Sequence, residues 1–322
     1  MKRMFFICIY SWFFSISLIS STWAMQFAVI SDVRAAALDK SLEFIVSQGV
    51  DLILLPGDFY YDAQDYYSHF VKFGFDVSPE KAPDGQDVYF ALGNHDAPPS
   101  GDSTFMNAIA PCYPDNGPAA SPRGTVFSFD RADCHFVITN QYWNNPAGGY
   151  TDEQLEWIEQ DLKASTRTFK FVFGHEPAFP LARHVKDSLD ADPAQRDRFW
   201  SILKDNGVQA FFCGHTHNLS HVLNGGVYQI DNGEVRNGGP ICVTLVDAAA
   251  DKATVKSYQT NGSVPEAEEN SELANDLAIQ TDMDATVRPA DSPAPEVLFS
   301  AGAAADTGTF GKSCFIRSLL SD

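Results

Sequence analysis

The sequence predicts an α/β domain, and three observations carry that expectation. Short apolar runs alternate with stretches whose apolar residues recur at helical spacing. The polar clusters fall where apolar runs finish, which is where open α/β sheets place their ligands. The chain from Met25 to Gln259 is also long enough to fill one large core.

The elements follow in order. Residues 27–31 form a first strand ending at Asp32, and 38–48 a helix with Leu42, Ile45 and Val46 on helical spacing before Gly49 stops it. Residues 50–55 are the second strand of a βαβ unit and end at Gly57-Asp58, so two acids occupy matching strand ends. A strand over 88–92 runs into Gly93-Asn94-His95-Asp96, and 126–129 with 134–139 read as a hairpin around residues 130–133. Thr151 opens a helix with Gln154 three places on, a capping-box pattern, and Leu155, Ile158 and Leu162 supply its buried face. Strands over 169–173 and 209–213 end at Gly174-His175 and Gly214-His215, with a helix over 194–204 between them. Strands near 227–230, 240–246 and 253–258 close the domain, and no internal repeat is visible.

The two ends of the chain differ from this middle. Lys2 and Arg3, an apolar run over 5–19 and Ser20-Ser21-Thr22-Trp23-Ala24 have the form of a signal peptide, residues 1–24. Export to the periplasm or the exterior is the expectation, with an uncleaved anchor as the alternative. No later stretch is apolar enough to span a bilayer, so no span is expected in the mature chain. Residues 260–322 are rich in Ala, Pro, Ser, Asp and Glu and read as an acidic disordered tail, with room for a short helix over 268–279. Within it Cys314 is either a processing or surface-attachment point or an incidental thiol near a frayed terminus.

A formal net charge of −20 argues against a nucleic-acid or anionic-membrane surface. Phosphate would need a local positive centre, and metal ions supply one. Six cysteines are present; export makes a Cys112–Cys134 disulfide an expectation, while Cys213 and Cys242 read as small buried hydrophobes. None has the spacing of a zinc knuckle or a CxxC redox site.

Five clusters carry the chemistry: Asp32-Val33-Arg34, Gly57-Asp58-Phe59-Tyr60-Tyr61, Gly93-Asn94-His95-Asp96, Val172-Phe173-Gly174-His175 and Gly214-His215-Thr216-His217. Carboxylates, an amide oxygen, imidazoles and a phenol form a ligand set for two hard or borderline cations side by side. With these clusters in this order over residues 25–247, the chain resembles the calcineurin-like metallophosphoesterases. That superfamily includes purple acid phosphatases, nucleotidases and phosphodiesterases. The resemblance implies a four-layer α/β/β/α sandwich of two mixed sheets, with the site at the strand ends.

One position departs from the commonest pattern. Most of the superfamily has Asp-x-His in the first cluster, whereas Arg34 stands here, and a guanidinium has no lone pair to offer a metal. Tyr61, three residues after Asp58, matches the GDxxY pattern of the purple acid phosphatases, in which a tyrosinate binds ferric iron. Those enzymes usually have glycine at the position of Arg34, so the match is partial. The alternative for Tyr61 is aromatic packing beside Tyr60, Tyr66 and Tyr67.

By resemblance, Asp32, Asp58, Tyr61 and His217 hold a first metal and Asp58, Asn94, His175 and His215 a second, with Asp58 bridging. The metals implied are iron with iron, zinc or manganese. His95 is then the imidazole that protonates the leaving group, with Asp96 or His184 as its orienting partner. Arg34 is either a bidentate clamp on a phosphate oxygen or half of a structural ion pair. Tyr142 and Trp143, in the loop over 140–150, either wall the cleft or pack. The implied reaction is hydrolysis of a phosphomonoester by a metal-bound hydroxide. The alternatives are a phosphodiesterase of the same superfamily, on cyclic nucleotides or phospholipid head groups, and a domain that binds without turnover.

Overall fold

The computed structural model describes residues 25–50, 52–59, 63–97, 107–181, 183–236, 240–249, 252–259 and 280–287. The expected signal peptide, Tyr61, the short helix over 268–279 and Cys314 lie outside the described residues. One sheet contains β1 (Met25–Val29), β2 (Leu52–Pro56), β3 (Val88–Ala91), β10 (Cys242–Ala249), β11 (Lys252–Gln259) and β12 (Gln280–Val287). Their order is β12-β11-β10-β1-β2-β3. The other contains β4 (Phe127–Arg131), β5 (Cys134–Ile138), β6 (Phe169–Phe173), β7 (Ala210–Cys213), β8 (Leu219–Asn224) and β9 (Val227–Asn232), in the order β4-β5-β6-β7-β9-β8. Both are mixed: β1, β2 and β3 run parallel while β10 is antiparallel to β1, and β5, β6, β7 and β9 run parallel with antiparallel β4 and β8 at the edges.

Period-two alternation decides which side chains meet. Phe27 on β1 makes edge contacts with Phe136 and Phe171, both at 5.2 Å, and with Phe212 at 6.0 Å, all from the other sheet, so the two sheets pack face to face. The intervening residues of the second sheet, Val137, Val172 and Phe211, face the opposite way. They pack with Leu155, Ile158 and Leu162 of α3 (Asp152–Ala164) and Phe199, Trp200 and Leu203 of α4 (Pro193–Asp205). Outside the first sheet, α1 (Ala35–Ser47) sets Phe44 against Tyr258 of β11 at 5.1 Å, and α2 (Ala63–Lys72) sets Phe70 against Phe90 of β3 at 5.9 Å. Each sheet therefore has one face on the other sheet and one under helices, as the resemblance implied.

Local signals mostly held, with instructive exceptions. Thr151 Oγ1 caps α3 by accepting the Gln154 N–H at 3.2 Å. The capping box is only half made, because the Gln154 amide bonds both backbone groups of Asn140 instead, at 2.9 and 2.8 Å. The hairpin β8–β9 went unread in the sequence, although Asn224-Gly225-Gly226 marks its turn. Within the stretch read mostly as a disordered tail, Gln280–Val287 pairs antiparallel with β11.

The expected Cys112–Cys134 disulfide is absent; both residues are buried free thiols. Burial pushes the Cys134 thiol up to about 12, so it fills space as a small hydrophobe. Cys213 and Cys242 are buried as expected. Among the described residues no helix is long and apolar enough to cross a membrane.

Candidate metal centre

The strand-end clusters converge on one edge of the sandwich. Asp32, Asp58 and Asn94 follow β1, β2 and β3 of the first sheet, and His175, His215 and His217 follow β6 and β7 of the second. The chain turns hard at each place: Asp32, Asp58, His215 and His217 all have positive φ, between 52° and 72°. Left-handed backbone at non-glycine residues is costly and collects where a side chain must be aimed. Close approach makes two neighbouring positions small. A Cβ on Gly93 would strike the Asp58 carboxylate and backbone N, and one on Gly214 would strike Ser31 Oγ and Asp32 Oδ2.

Hydrogen bonds fix each ligand from behind. Asp32 Oδ2 accepts from Ser31 Oγ at 2.7 Å and from the His215 N–H at 2.9 Å. Its other oxygen, Oδ1, is buried without a hydrogen-bond partner and lies 3.2 Å from His217 Nε2. His175 directs Nδ1 to the Pro56 carbonyl at 2.9 Å, which turns Nε2 toward Asn94 Oδ1 at 3.1 Å and Asp58 Oδ2 at 3.4 Å. His215 directs Nε2 to the Asp187 carbonyl at 3.2 Å and Nδ1 to the same Asn94 oxygen, also at 3.2 Å. Nitrogens anchored to backbone carbonyls leave the inner lone pairs free for a cation.

Asp32, Asp58 and His175 bring ligand atoms within 4.8 Å of one another, and His184, Asp187 and His215 form a second such group. An orphaned buried carboxylate oxygen beside converging imidazole and amide lone pairs fits a pair of divalent or trivalent cations. Six of the seven predicted ligands are thus assembled in one place; the seventh, Tyr61, lies outside the described residues.

The electrostatics are strongly polarised. Burial would lower His175, but the Asp58 carboxylate beside it wins and moves it up to about 10. Burial and the neighbouring rings of His175 and His184 push His215 down to about 3. Burial works to raise Asp58 as well, yet the charge and hydrogen bond of His175 hold it below the usual carboxylate range. These are the opposing tendencies of a dense donor cluster.

Asp96 has a role other than the expected one. Its Oδ2 accepts the N–H groups of Asp58 at 2.6 Å and Gly93 at 2.9 Å, and its Oδ1 that of Phe59 at 3.1 Å. It ties two ligand loops together, and burial followed by the Asp58 charge raises it to about 7. His184, the other expected partner of His95, stacks on His215 at 4.0 Å and pairs with Asp187 at 3.2 Å. His95 itself is half exposed at the mouth of the cluster, with Nε2 3.9 Å from Asp58 Oδ2.

The Arg34 backbone N–H donates to the Val235 carbonyl at 2.7 Å, which fixes the first ligand loop against the segment after β9. Tyr142 and Trp143 are buried, and the Tyr142 hydroxyl donates to Glu176 Oε1 at 3.0 Å, beside His175. Sequence reading missed Gln141, whose Oε1 accepts the N–H groups of His175 and Glu176 at 2.7 and 2.6 Å. It also missed Glu234, which stands beside His217. Both follow strand ends, β5 and β9, so the rule that found the other clusters applied to them as well.

Two facing mixed sheets with acids, an amide and imidazoles gathered at one edge define a two-metal phosphoesterase scaffold. The chain belongs to the calcineurin-like phosphoesterase family, whose model matches residues 25–219. It is 25% identical to purple acid phosphatase 22 of Arabidopsis thaliana over 261 residues, 76% of this chain and 55% of that protein. It is 26% identical to the glycerophosphodiester phosphodiesterase GpdQ of Enterobacter lignolyticus over 134 residues, 40% of this chain and 44% of that one. The chain thus matches about half the length of these curated relatives. The fold is shared with a dimetal phosphatase from Danio rerio at a TM-score of 0.56 and 14% identity, covering 82% of this chain and 99% of the other.

Proposed function

We propose that this protein hydrolyses phosphomonoesters at a two-metal centre of the purple acid phosphatase kind. The observation that carries this reading is the convergence of Asp32, Asp58, Asn94, His175, His215 and His217, with a buried Asp32 Oδ1 that makes no hydrogen bond and lies 3.2 Å from His217 Nε2. Asp32, Asp58, Tyr61 and His217 would hold one cation and Asp58, Asn94, His175 and His215 the other. When bound, such a pair polarises the phosphoryl oxygens and lowers the pKa of a nucleophilic water.

The chain's own residues supply the rest. Asp58 lies between the two groups of ligands and is oriented by the His95 N–H on Oδ1 at 3.0 Å. The half-exposed His95 imidazole, with Nε2 3.9 Å from Asp58 Oδ2, would give its proton to the leaving oxygen. Asp96 and Gln141 keep the ligand loops in register through backbone N–H groups. The match of Tyr61 to the GDxxY pattern of the purple acid phosphatases supports iron in the pair, with iron, zinc or manganese beside it. We also propose export, on the basic start and apolar run of residues 1–24.

The test is to purify the exported chain without chelators, count metals and compare aryl mono- and diesters. Two metals per chain, faster monoester turnover and a visible charge-transfer band lost in Tyr61→Phe are expected. Faster diester turnover without the band would favour the second reading, a phosphodiesterase, toward which the similarity to GpdQ points. Less than one metal per chain after reconstitution would overturn both.

A further inference from the structure

We infer that Glu234 is a positioning residue for His217, and that Arg183 competes with it for the same imidazole nitrogen. This rests on the two-metal reading of the site. Glu234 is 7% exposed and is locked in place by its own backbone: its carbonyl accepts the Cys242 N–H at 2.9 Å. The next residue, Val235, exchanges backbone bonds with the first ligand loop, donating to the Asp32 carbonyl at 3.3 Å and accepting from Arg34 at 2.7 Å. The Glu234 side chain is thereby carried against the ligand loop. Its Oε2 is buried without a hydrogen-bond partner, although it lies 3.3 Å from His217 Nδ1. A buried carboxylate oxygen so close to an imidazole nitrogen, yet unbonded, calls for a reason.

Arg183 supplies that reason. Its Nη1 lies 2.9 Å from the same His217 Nδ1. A guanidinium only donates, so this contact requires Nδ1 to carry the lone pair and Nε2 the proton. Nε2, which lies 3.2 Å from Asp32 Oδ1, then carries the proton and has no lone pair to offer a cation. A Glu234 partner requires the reverse. With Nδ1–H donated to Oε2, the Nε2 lone pair faces Asp32, and His217 is oriented as a ligand in a carboxylate–histidine–metal arrangement. The two neighbours therefore select opposite tautomers, one compatible with a cation at the first position and one opposed to it. Arg236 Nη1, 3.9 Å from Glu234 Oε2, is a cationic neighbour of that carboxylate.

The test is titration of the metal-free protein with Co2+, read by its visible absorption and by metal retained after gel filtration. The proteins compared are wild type, Glu234→Ala, Glu234→Gln and Arg183→Ala, with His217→Ala marking loss of the first position. Glu234→Ala should weaken one of the two Co2+ sites by about 10- to 100-fold and leave the other unchanged. Glu234→Gln, whose amide oxygen still accepts Nδ1–H, should recover most of that loss, and Arg183→Ala should tighten the site; an unchanged Arg183→Ala would overturn the competition. A merely structural role gives no such opposition of sign. Proton–nitrogen NMR of the Zn2+-loaded wild type should show His217 protonated at Nδ1, a readout that needs no variant to fold. Wild-type affinity in Glu234→Ala, equal losses in Glu234→Gln and Arg183→Ala, or Nδ1 unprotonated in the Zn2+ form would overturn the inference while leaving the two-metal reading in place. A wild type that binds fewer than two Co2+ would remove both.

Discussion

Asp96 Oδ2 accepts the backbone N–H of Asp58 at 2.6 Å, across 38 residues of sequence, and so couples the loop that ends β2 to the loop that ends β3. Asn at position 96 would set an N–H₂ group against backbone donors. Asp96→Asn should therefore lower stability by about 1–3 kcal/mol and reduce metal content. Urea unfolding and metal analysis check this, and a variant with wild-type values in both would show that Asp96 does not hold the loops.

His95 is placed outside the ligand cluster, with its side chain half exposed. His95→Ala is expected to keep the wild-type metal content and lose about 100-fold or more in kcat with an aryl phosphate. A wild type without turnover, whose biological effect survives His95→Ala, would instead favour a domain that binds without catalysis.

His135 lies at the start of β5, on the edge of the second sheet away from the metal centre, and bridges Asp130 at 2.7 Å and Asp161 at 2.9 Å. Burial would lower it, but its hydrogen bonds to Asp161 and Asp130 prevail and raise its pKa above 6.5. A group raised on folding stabilises fully below its unfolded pKa, and that contribution fades as pH climbs through the folded value. Asp130 shifts the other way: burial is outweighed by His135 and Arg167, so its contribution is lost as pH falls below the ordinary 3.8. The Tm deficit of His135→Gln should be largest near pH 5 and shrink toward alkaline pH. A pH-independent deficit would point to packing alone.

Gly93→Ala places a methyl group against the Asp58 carboxylate and backbone N. The loop cannot yield without moving a ligand, so a loss of about 1–3 kcal/mol together with weakened metal binding is expected. Calorimetry with and without added metal separates the two effects; unchanged metal affinity would mean that the loop relaxes elsewhere.

Thr151→Ala tests a helix end remote from the chemistry. Removing the Oγ1 that accepts the Gln154 N–H should cost about 0.5–2 kcal/mol in urea unfolding, with metal content unaltered. A loss of metal would reveal that the Gln154–Asn140 bonds transmit the cap to the site.

Much of the candidate site was legible because its clusters begin at a glycine or at the end of an apolar strand run, and sequence order places those run ends along one edge of the sandwich. Asp32, Asp58, Asn94, His175, His215 and His217 were all found that way. Asp96 was misread because it neighbours His95 in sequence, whereas its oxygens reach a loop 37 and 38 residues back. Glu234 and Gln141 escaped because a lone acid or amide after a strand resembles an ordinary turn residue, and only tertiary packing brings it to the cluster. The disulfide expectation failed for a similar reason: chain order says nothing of where two buried thiols point.

The carboxylates and the amide come from one sheet and the imidazoles from the other, so the ligand cluster straddles a seam. Any ion held there stitches two layers that otherwise adhere through phenylalanine contacts such as Phe27 on Phe136. Slippage of one layer past the other would tear ligands apart before it exposed the aromatic interior. Loading should therefore merge the melting of the two halves into a single event, while the stripped protein is free to loosen along the seam first.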